Sequence, residues 1–293
     1  MATQVTVIGD ATLDVRAVPL VPMRPGGDVP ATVTLGPGGQ GANVAVRLAR
    51  RGVRTRLVCR IGDDAAGALV RAAITGDGVE VVDLGAPFTG IVVVLLDAVG
   101  DRTMLSQRLA LLEGGPPSAS LFEADWLVVS GYVLLERNSG ISTAGGSMRR
   151  VVAGCSLDPA SAGDWADAAR SLHPQLVVLN ADEARVLVAD GDPSELSRRV
   201  GAATGAVVVV TEASGATAVL GDRVVRADAE AGAASLDTTG AGDAFTAGLV
   251  AELLEQPWPP SAEQLSTALQ AAGELAAAVT RTAGAQGRVA GEA

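Results

Sequence analysis

The sequence contains no lysine; all 22 of its basic side chains are arginine. That absence removes a Walker-type phosphate-binding lysine, a Schiff-base lysine and a lysine general base together. Any phosphate charge must be met by arginine, by backbone N–H groups or by a metal. The single histidine, His173, stands before Pro174 and cannot form a histidine metal cluster or a two-histidine catalytic set. The two cysteines, Cys59 and Cys155, lie far apart and follow apolar runs, which predicts buried free thiols in a reducing compartment. Aromatic residues make up 2% of the chain, so few rings are at hand to stack on a flat ligand. No apolar run reaches the roughly 18 residues that span a membrane, and Met1-Ala2-Thr3-Gln4-Val5 lacks the basic stretch of a secretory leader. A cytoplasmic protein is expected. The net charge of -11 argues against a nucleic-acid surface, because phosphate backbones are bound by clustered cations.

What is present points to phosphoryl transfer. Asp237-Thr238-Thr239-Gly240-Ala241-Gly242-Asp243 runs into the apolar, helix-like segment Ala244-Phe245-Thr246-Ala247-Gly248-Leu249-Val250. Small residues at 240–242 let backbone N–H groups converge on an anion, and a helix N-terminus adds a favourable dipole. A carboxylate beside an anion hole repels phosphate, and the role that explains Asp243 is to take a proton from a hydroxyl attacking phosphorus. The competing reading is a glycine-rich N-cap followed by a helix-starting aspartate.

Val5-Thr6-Val7-Ile8, ending at Gly9-Asp10, reads as a buried first strand, with Asp14 just beyond it. Residues 15–37 hold five prolines and short alternating patches, which excludes a helix and predicts short strands. A second pair is expected at 89–97 and 102–108, joined at Gly100-Asp101, with Arg102 a surface residue of that hairpin. Together the segments at about 14–36 and 89–108 would form a lid. The apolar spacing at Val44, Ala45, Leu48 and Ala49 predicts a helix over 42–51, stopped by Gly52. Further strands are expected at 55–59, 126–130, 151–157, 176–179 and 206–211, with helices between most of them. This alternation predicts a single domain over 1–293, with a mostly parallel sheet covered on both faces. After Gln286 a frayed Gly/Ala-rich tail is expected.

Two separate signatures, Gly38-Gly39-Gln40-Gly41-Ala42-Asn43-Val44-Ala45 and Asp237 to Asp243, in that order, resemble those of the PfkB carbohydrate kinases, the ribokinase-like family. The resemblance covers nearly the whole chain and is closest to the sugar kinases, although Gln40 stands where ribokinases commonly carry lysine. It implies a three-layer α/β sandwich with a small β lid, and ATP-dependent phosphorylation of a primary hydroxyl of a small sugar. Asp243 would be the base, and Gly240, Ala241 and Gly242 the anion hole. Asp14, Gly38, Gly39 and Asn43 would contact the acceptor, since an amide and a carboxylate suit vicinal hydroxyls.

Asn180-Ala181-Asp182-Glu183 matches the family's NxxE pattern, implying that Glu183 and Asn180 organise the water shell of magnesium near the nucleotide. Helix capping by the same pair is compatible with that role. By the same resemblance Thr211 and Gly215 stand in the place of the family's nucleotide-binding turn and would contact the nucleotide, although the turn here lacks its first glycine and is one residue shorter. The segment Ala278 to Gln286 resembles the ribokinase loop whose carbonyls, with the Asp237 region, hold a monovalent cation. Asp237, Thr239, Ala278 and Gly284 are the residues implied, with potassium the cation; one extra residue and Arg288 depart from the pattern. A nucleoside acceptor, adenosine or pseudouridine, stays open and would need a wall from Phe88, Trp126, Tyr132 or Trp165. A non-catalytic sugar-binding relative is the third alternative. A homodimer through the lid is expected from the family.

Overall fold

The computed structural model describes residues 4–96, 102–112, 124–136, 148–229, 237–282, 284–290 and 292. Along the chain run β1 (Gln4–Ile8), β2 (Thr12–Pro19), β3 (Ala31–Gly38), α1 (Gln40–Arg50), β4 (Arg54–Cys59), α2 (Ala65–Gly76) and β5 (Glu80–Asp83). Then come β6 (Gly90–Leu96), β7 (Arg102–Gln107), β8 (Trp126–Val129), α3 (Gly131–Leu134), β9 (Arg149–Ala153), α4 (Ala162–Ser171), β10 (Leu176–Asn180) and α5 (Ala181–Val188). The remainder is α6 (Pro193–Thr204), β11 (Val207–Glu212), β12 (Gly215–Leu220), β13 (Arg223–Asp228), α7 (Ala241–Leu253) and α8 (Ala262–Thr280).

The large sheet has nine strands in the order β13-β12-β11-β10-β9-β8-β1-β4-β5. Seven of them, from β11 to β5 in that order, pair in parallel, and β12 and β13 add an antiparallel edge. Because side chains alternate across a strand, each buried strand feeds two cores. Val5, Val7, Trp126, Val128, Val151, Leu176, Val178 and Val209 pack with α1, α7 and α8. Their neighbours Ile8, Leu127, Val129, Val152, Val177, Leu179, Val208 and Val210 pack on the other face with α4 and α6. This is the predicted three-layer sandwich.

The second sheet has the order β3-β2-β6-β7, with β2 and β6 parallel and both outer pairs antiparallel. It is the predicted pair of projecting hairpins; the turn at Gly100-Asp101 and the side chain of Arg102 lie outside the described residues. The register sorts its two faces. Gly36, Asp14, Val92 and Ser106 form one row, and Leu35, Val15, Val93 and Leu105 the next, pointing the opposite way.

Several expectations are corrected. The helix predicted from 42 begins at Gln40, and the strand expected to reach residue 157 ends at Ala153. Strands β5, β12 and β13 were not anticipated. In the two edge strands, β5 and β13, the half-exposed positions carry Glu, Asp and Arg, which erases a continuous apolar run. The tail after Gln286 is not frayed in its described part, because the Glu292 side chain is only 2% exposed against Arg47. Both cysteines are buried free thiols, as expected. Among the described residues no helix is long and apolar enough to cross a membrane.

Candidate active site

A cleft of about 410 Å³ opens at the carboxyl ends of β9, β10 and β11, beneath the small sheet. Ligand sites in open α/β sheets form at this edge, where the strand order reverses, here between β1 and β8. The first turns of α1, α5 and α7 reach it through Gln40, Glu183 and Gly242. Three helix N-termini converging on one cavity favour an anion without any lysine.

Gly240 is the N-cap of α7 in the left-handed region, φ 79°. A Cβ there would meet Ala285 Cβ at 2.7 Å, so turn and packing both require glycine. Asp243 follows at the third helical position. Its Oδ2 accepts from Asn43 Nδ2 at 2.8 Å, a contact that joins the two motifs across 200 residues of sequence. Burial raises the Asp243 pKa to about 6; the Asn43 hydrogen bond works against that rise, and Asp10 adds to it. A carboxyl poised near neutrality is suited to accepting a proton.

Asp14 leaves β2 on the cleft side and accepts from Thr12 Oγ1 at 2.9 Å. Burial lifts its pKa to about 6, opposed by the Thr12 bond and helped by Asp10. A Cβ on Gly38 would stand 2.2 Å from the Asp14 carboxylate, so that glycine is what lets β2 and β3 bring the acid in. Gly39, the N-cap of α1, lines the cavity beside Asn43.

Asn180 and Glu183 form a full capping box: Glu183 N donates to Asn180 Oδ1 at 2.8 Å and Asn180 N to Glu183 Oε2 at 3.0 Å. Both also line the cleft. The Glu183 pKa rises to about 7, first through burial and then through Asp243, against the lowering effect of the Asn180 N–H. Thr211 reaches the cleft from the end of β11, with its hydroxyl donating to Leu179 O at 3.3 Å.

Gly215 is not brought to the cleft. It opens β12 at φ 139°, where a Cβ would lie 2.2 Å from Ala227 O, so it serves the close approach of β13 to the β11–β12 hairpin. Asp237 is buried beside Thr239 and Gly284, whose N–H groups it accepts at 2.9 and 3.1 Å. Arg16 of β2 adds an ion pair to Asp237 at 3.1 Å. Burial opposes the Asp237 charge, but Thr239, the Gly284 N–H and Arg16 together hold its pKa below the usual carboxylate range. The fourth residue of that set, Ala278, lies in the last turn of α8, where its carbonyl accepts from Arg281 N at 3.3 Å.

Several site residues escaped the sequence reading. Asp10 accepts from Gly41 N at 3.3 Å and pairs with Arg108, whose guanidinium lies 4.1 Å above the Tyr132 ring. Its place directly after β1 was the available signal. Gln40 bridges Gly154 O at 2.6 Å, Ser130 Oγ at 2.6 Å and Gly131 N at 3.1 Å, so it staples α1 to the loops after β8 and β9. Cys155 also lines the cleft, its thiol pushed up to about 12 by burial and then by Glu183, which leaves it inert.

Comparison with known proteins adds a second line of observation. The sequence profile described as pfkB family carbohydrate kinase matches residues 2–290. A fructokinase from Salmonella typhimurium is 30% identical over 308 aligned positions, covering 97% of this chain and 95% of that protein. The structure of adenosine kinase from Sinorhizobium meliloti superposes with a TM-score of 0.80 at 19% identity, over 99% of this chain and 97% of its own. That of ribokinase from Cryptococcus neoformans var. grubii serotype A, in complex with ADP, gives 0.73 at 23% identity, over 98% and 96%. At these identities the structural likeness speaks for the fold, which is the ribokinase-like α/β sandwich.

Proposed function

The chain belongs to the pfkB family of carbohydrate kinases, phosphotransferases with an alcohol acceptor, and on that premise we propose that it phosphorylates a primary hydroxyl of a small sugar. A kinase of this family uses ATP. Fructose, the substrate named for the relative at 30% identity, is the first candidate acceptor. The observation that carries the reading is the Asn43–Asp243 hydrogen bond, because it sets an acceptor-binding amide against a base inside one cleft.

In the proposed step Asp243 takes the proton of the acceptor hydroxyl as its oxygen bonds to the γ-phosphorus, and the bond to the ADP oxygen breaks. Backbone N–H groups of Gly240, Ala241 and Gly242 stabilise the charge on the transferring phosphoryl oxygens. Asp14, Gly39 and Asn43 hold the sugar, and Gly38, which does not line the cleft, acts indirectly by making room for the Asp14 carboxylate. Asn180 and Thr211 face the nucleotide, and Gly215 acts indirectly through the hairpin it shapes. The small sheet, as a lid over a single domain, keeps water from the γ-phosphate. Two buried free thiols suit a cytoplasmic setting.

Magnesium fits these residues. Glu183 is a carboxylate made uneasy by burial and by Asp243, with no arginine partner among the described residues, so it lacks a counter-charge. Magnesium keeps most of its waters, so Glu183 with Asn180 would suffice to hold it, and it would neutralise phosphate charge. Potassium on the Asp237 carboxylate does not fit in the same way. Arg16 and two N–H groups already satisfy that acid, and no step is routed through a monovalent ion.

A nucleoside acceptor is the second reading, and the cleft disfavours it. Tyr132 is the only aromatic side chain among its described lining residues, and Arg108 covers that ring. Trp126 and Trp165 are buried in the cores. A dimer through the lid is supported by its outer face, where Leu35 and Leu105 are each 59% exposed in one row with Val15 and Val93.

Coupled ADP release over ketohexoses, other sugars and nucleosides tests the acceptor class. Asp243→Asn is expected to bind nucleotide normally and to lose turnover by about 10²–10⁴-fold. Turnover within tenfold of the parent would remove Asp243 as the base, and ligand-induced stabilisation without ADP release from any acceptor would point to the non-catalytic alternative.

A further inference from the structure

The segment after α8 is held with unusual thoroughness for chain that looked like a loose tail. Arg47, fully buried on α1 one turn beyond Asn43, donates to Ala285 O and Gly287 O at 2.8 Å each. Its other terminal nitrogen reaches both oxygens of Glu292, at 2.7 and 2.8 Å. Arg50, the next turn's neighbour, donates to Gln286 O at 2.8 Å and is itself fixed by Asp77 at 2.9 and 2.7 Å. Two arginines of α1 thus grip three successive carbonyls, and planar guanidinium forks define direction as well as distance.

That grip aims one side chain. Gln286 Nε2 donates to Asn43 Oδ1 at 3.0 Å, and Asn43 Nδ2 donates to Asp243 at 2.8 Å. The chemistry dictates the direction of this chain. An ionised carboxylate can only accept, so Asn43 must turn its NH₂ to Asp243, which leaves its oxygen needing a donor behind it. Gln286 supplies that donor, while its own Oε1 is buried without a partner among the described residues. A buried unpaired acceptor is destabilising, so the amide is not oriented for its own satisfaction. The adjacent Ala285 packs against Gly240, so the same short segment touches both the base's partner and the anion turn.

We propose that residues 284–290, together with Glu292, are a positioning element of the phosphotransfer site, in which Gln286, latched by Arg47, Arg50 and Glu292, fixes the polarity of the Asn43 amide toward Asp243. This rests on the reading of Asp243 as the base. Gln286 is a positioning residue, acting through Asn43. The other groups facing Asp243 are Asp10 beyond β1, Arg108 beyond β7, Glu183 on α5 and the Gln40 amide of α1. Substitution at 286 alters none of them.

The test is Gln286→Met, which keeps the length and apolar stem of the side chain and removes the donor. We expect kcat to fall about tenfold or more with nucleotide KM little changed, since a misoriented base partner damages the transition state more than binding. The acid limb of the kcat profile should move to higher pH, because a donor that stabilises ionised Asp243 has been weakened. A parental melting temperature would confirm that the fold is intact. Glu292→Gln, which weakens the latch without touching Gln286, should shift both quantities in the same direction and less far. Parental kcat and an unmoved acid limb in both variants, with Asp243→Asn inactive, would overturn the positioning role and leave the base in place. An active Asp243→Asn would instead remove the base on which it rests.

Discussion

Gly240 and Gly242 stand two residues apart at the head of α7, and replacing each by alanine separates the fold of this segment from its chemistry. At Gly240 the backbone is left-handed, which costs an alanine about 1–2 kcal/mol. The new Cβ would also lie 2.7 Å from Ala285 Cβ and 2.9 Å from Ala285 Cα, an overlap of the kind that adds about 1–3 kcal/mol. Together these lower stability by roughly 2–5 kcal/mol, or about 4–10 °C in melting temperature for a chain of this size. At Gly242 nothing lies within 4 Å of the added Cβ, and the residue lines the cleft. Helix propensity there favours alanine by up to about 1 kcal/mol. Gly242→Ala should therefore melt at or above the parental temperature, yet lose about 10²-fold in kcat because its methyl occupies space meant for the phosphoryl group. Differential scanning calorimetry and coupled ADP release read the two effects separately. Full turnover in Gly242→Ala would reduce the segment to an ordinary helix cap, and an unchanged melting temperature in Gly240→Ala would refute the strain reasoning.

Stability and activity should respond to pH in opposite directions. The pKa values of Asp14 and Asp243 are raised to about 6 and that of Glu183 to about 7, all above their unfolded values of 3.8 and 4.5. The folded state therefore binds protons more tightly, and the ligand-free protein should gain melting temperature as pH falls from 7.5 toward 5. Turnover should fall through an apparent pKa near 6 that belongs to the coupled acids rather than to one residue; a flat rate profile from pH 5 to 7.5 would contradict this. Since Arg16 already neutralises Asp237, kcat should be equal in potassium and tetramethylammonium buffers, and a strong dependence on potassium would show that Arg16 moves aside. Light scattering should give a dimer mass that Leu105→Glu reduces to a monomer; a parental monomer would exclude the lid interface.

The parts legible from sequence were those carried by local pattern. Runs such as Val5–Ile8 and Val207–Val210 declare buried strands because both faces must be apolar, and the motif at 237–243 declares a helix start because a left-handed glycine cap followed by a first-turn aspartate favours one. Asp14, Asn43, Glu183 and Thr211 were nominated through the family resemblance rather than from local pattern, and the structure gathers them in one cleft. Gly215 was nominated from its place in a turn, but its conformation answers to Ala227 on a neighbouring strand. Arg108 and Arg16 gave no local sign, since their partners come from other elements.

From the linear order of residues alone came the strand–helix alternation, the absence of any lysine and the pairing of a glycine turn with an acid. These follow from side-chain period and backbone freedom, which act over a few neighbours. The charge state and aim of that acid came only with folding. Burial raises the Asp243 pKa, Asn43 opposes the rise from 200 residues away, and Gln286 orients Asn43 from a segment whose composition suggested a loose tail. Desolvation and hydrogen-bond direction are properties of what surrounds a group in space, and sequence neighbours carry no record of them.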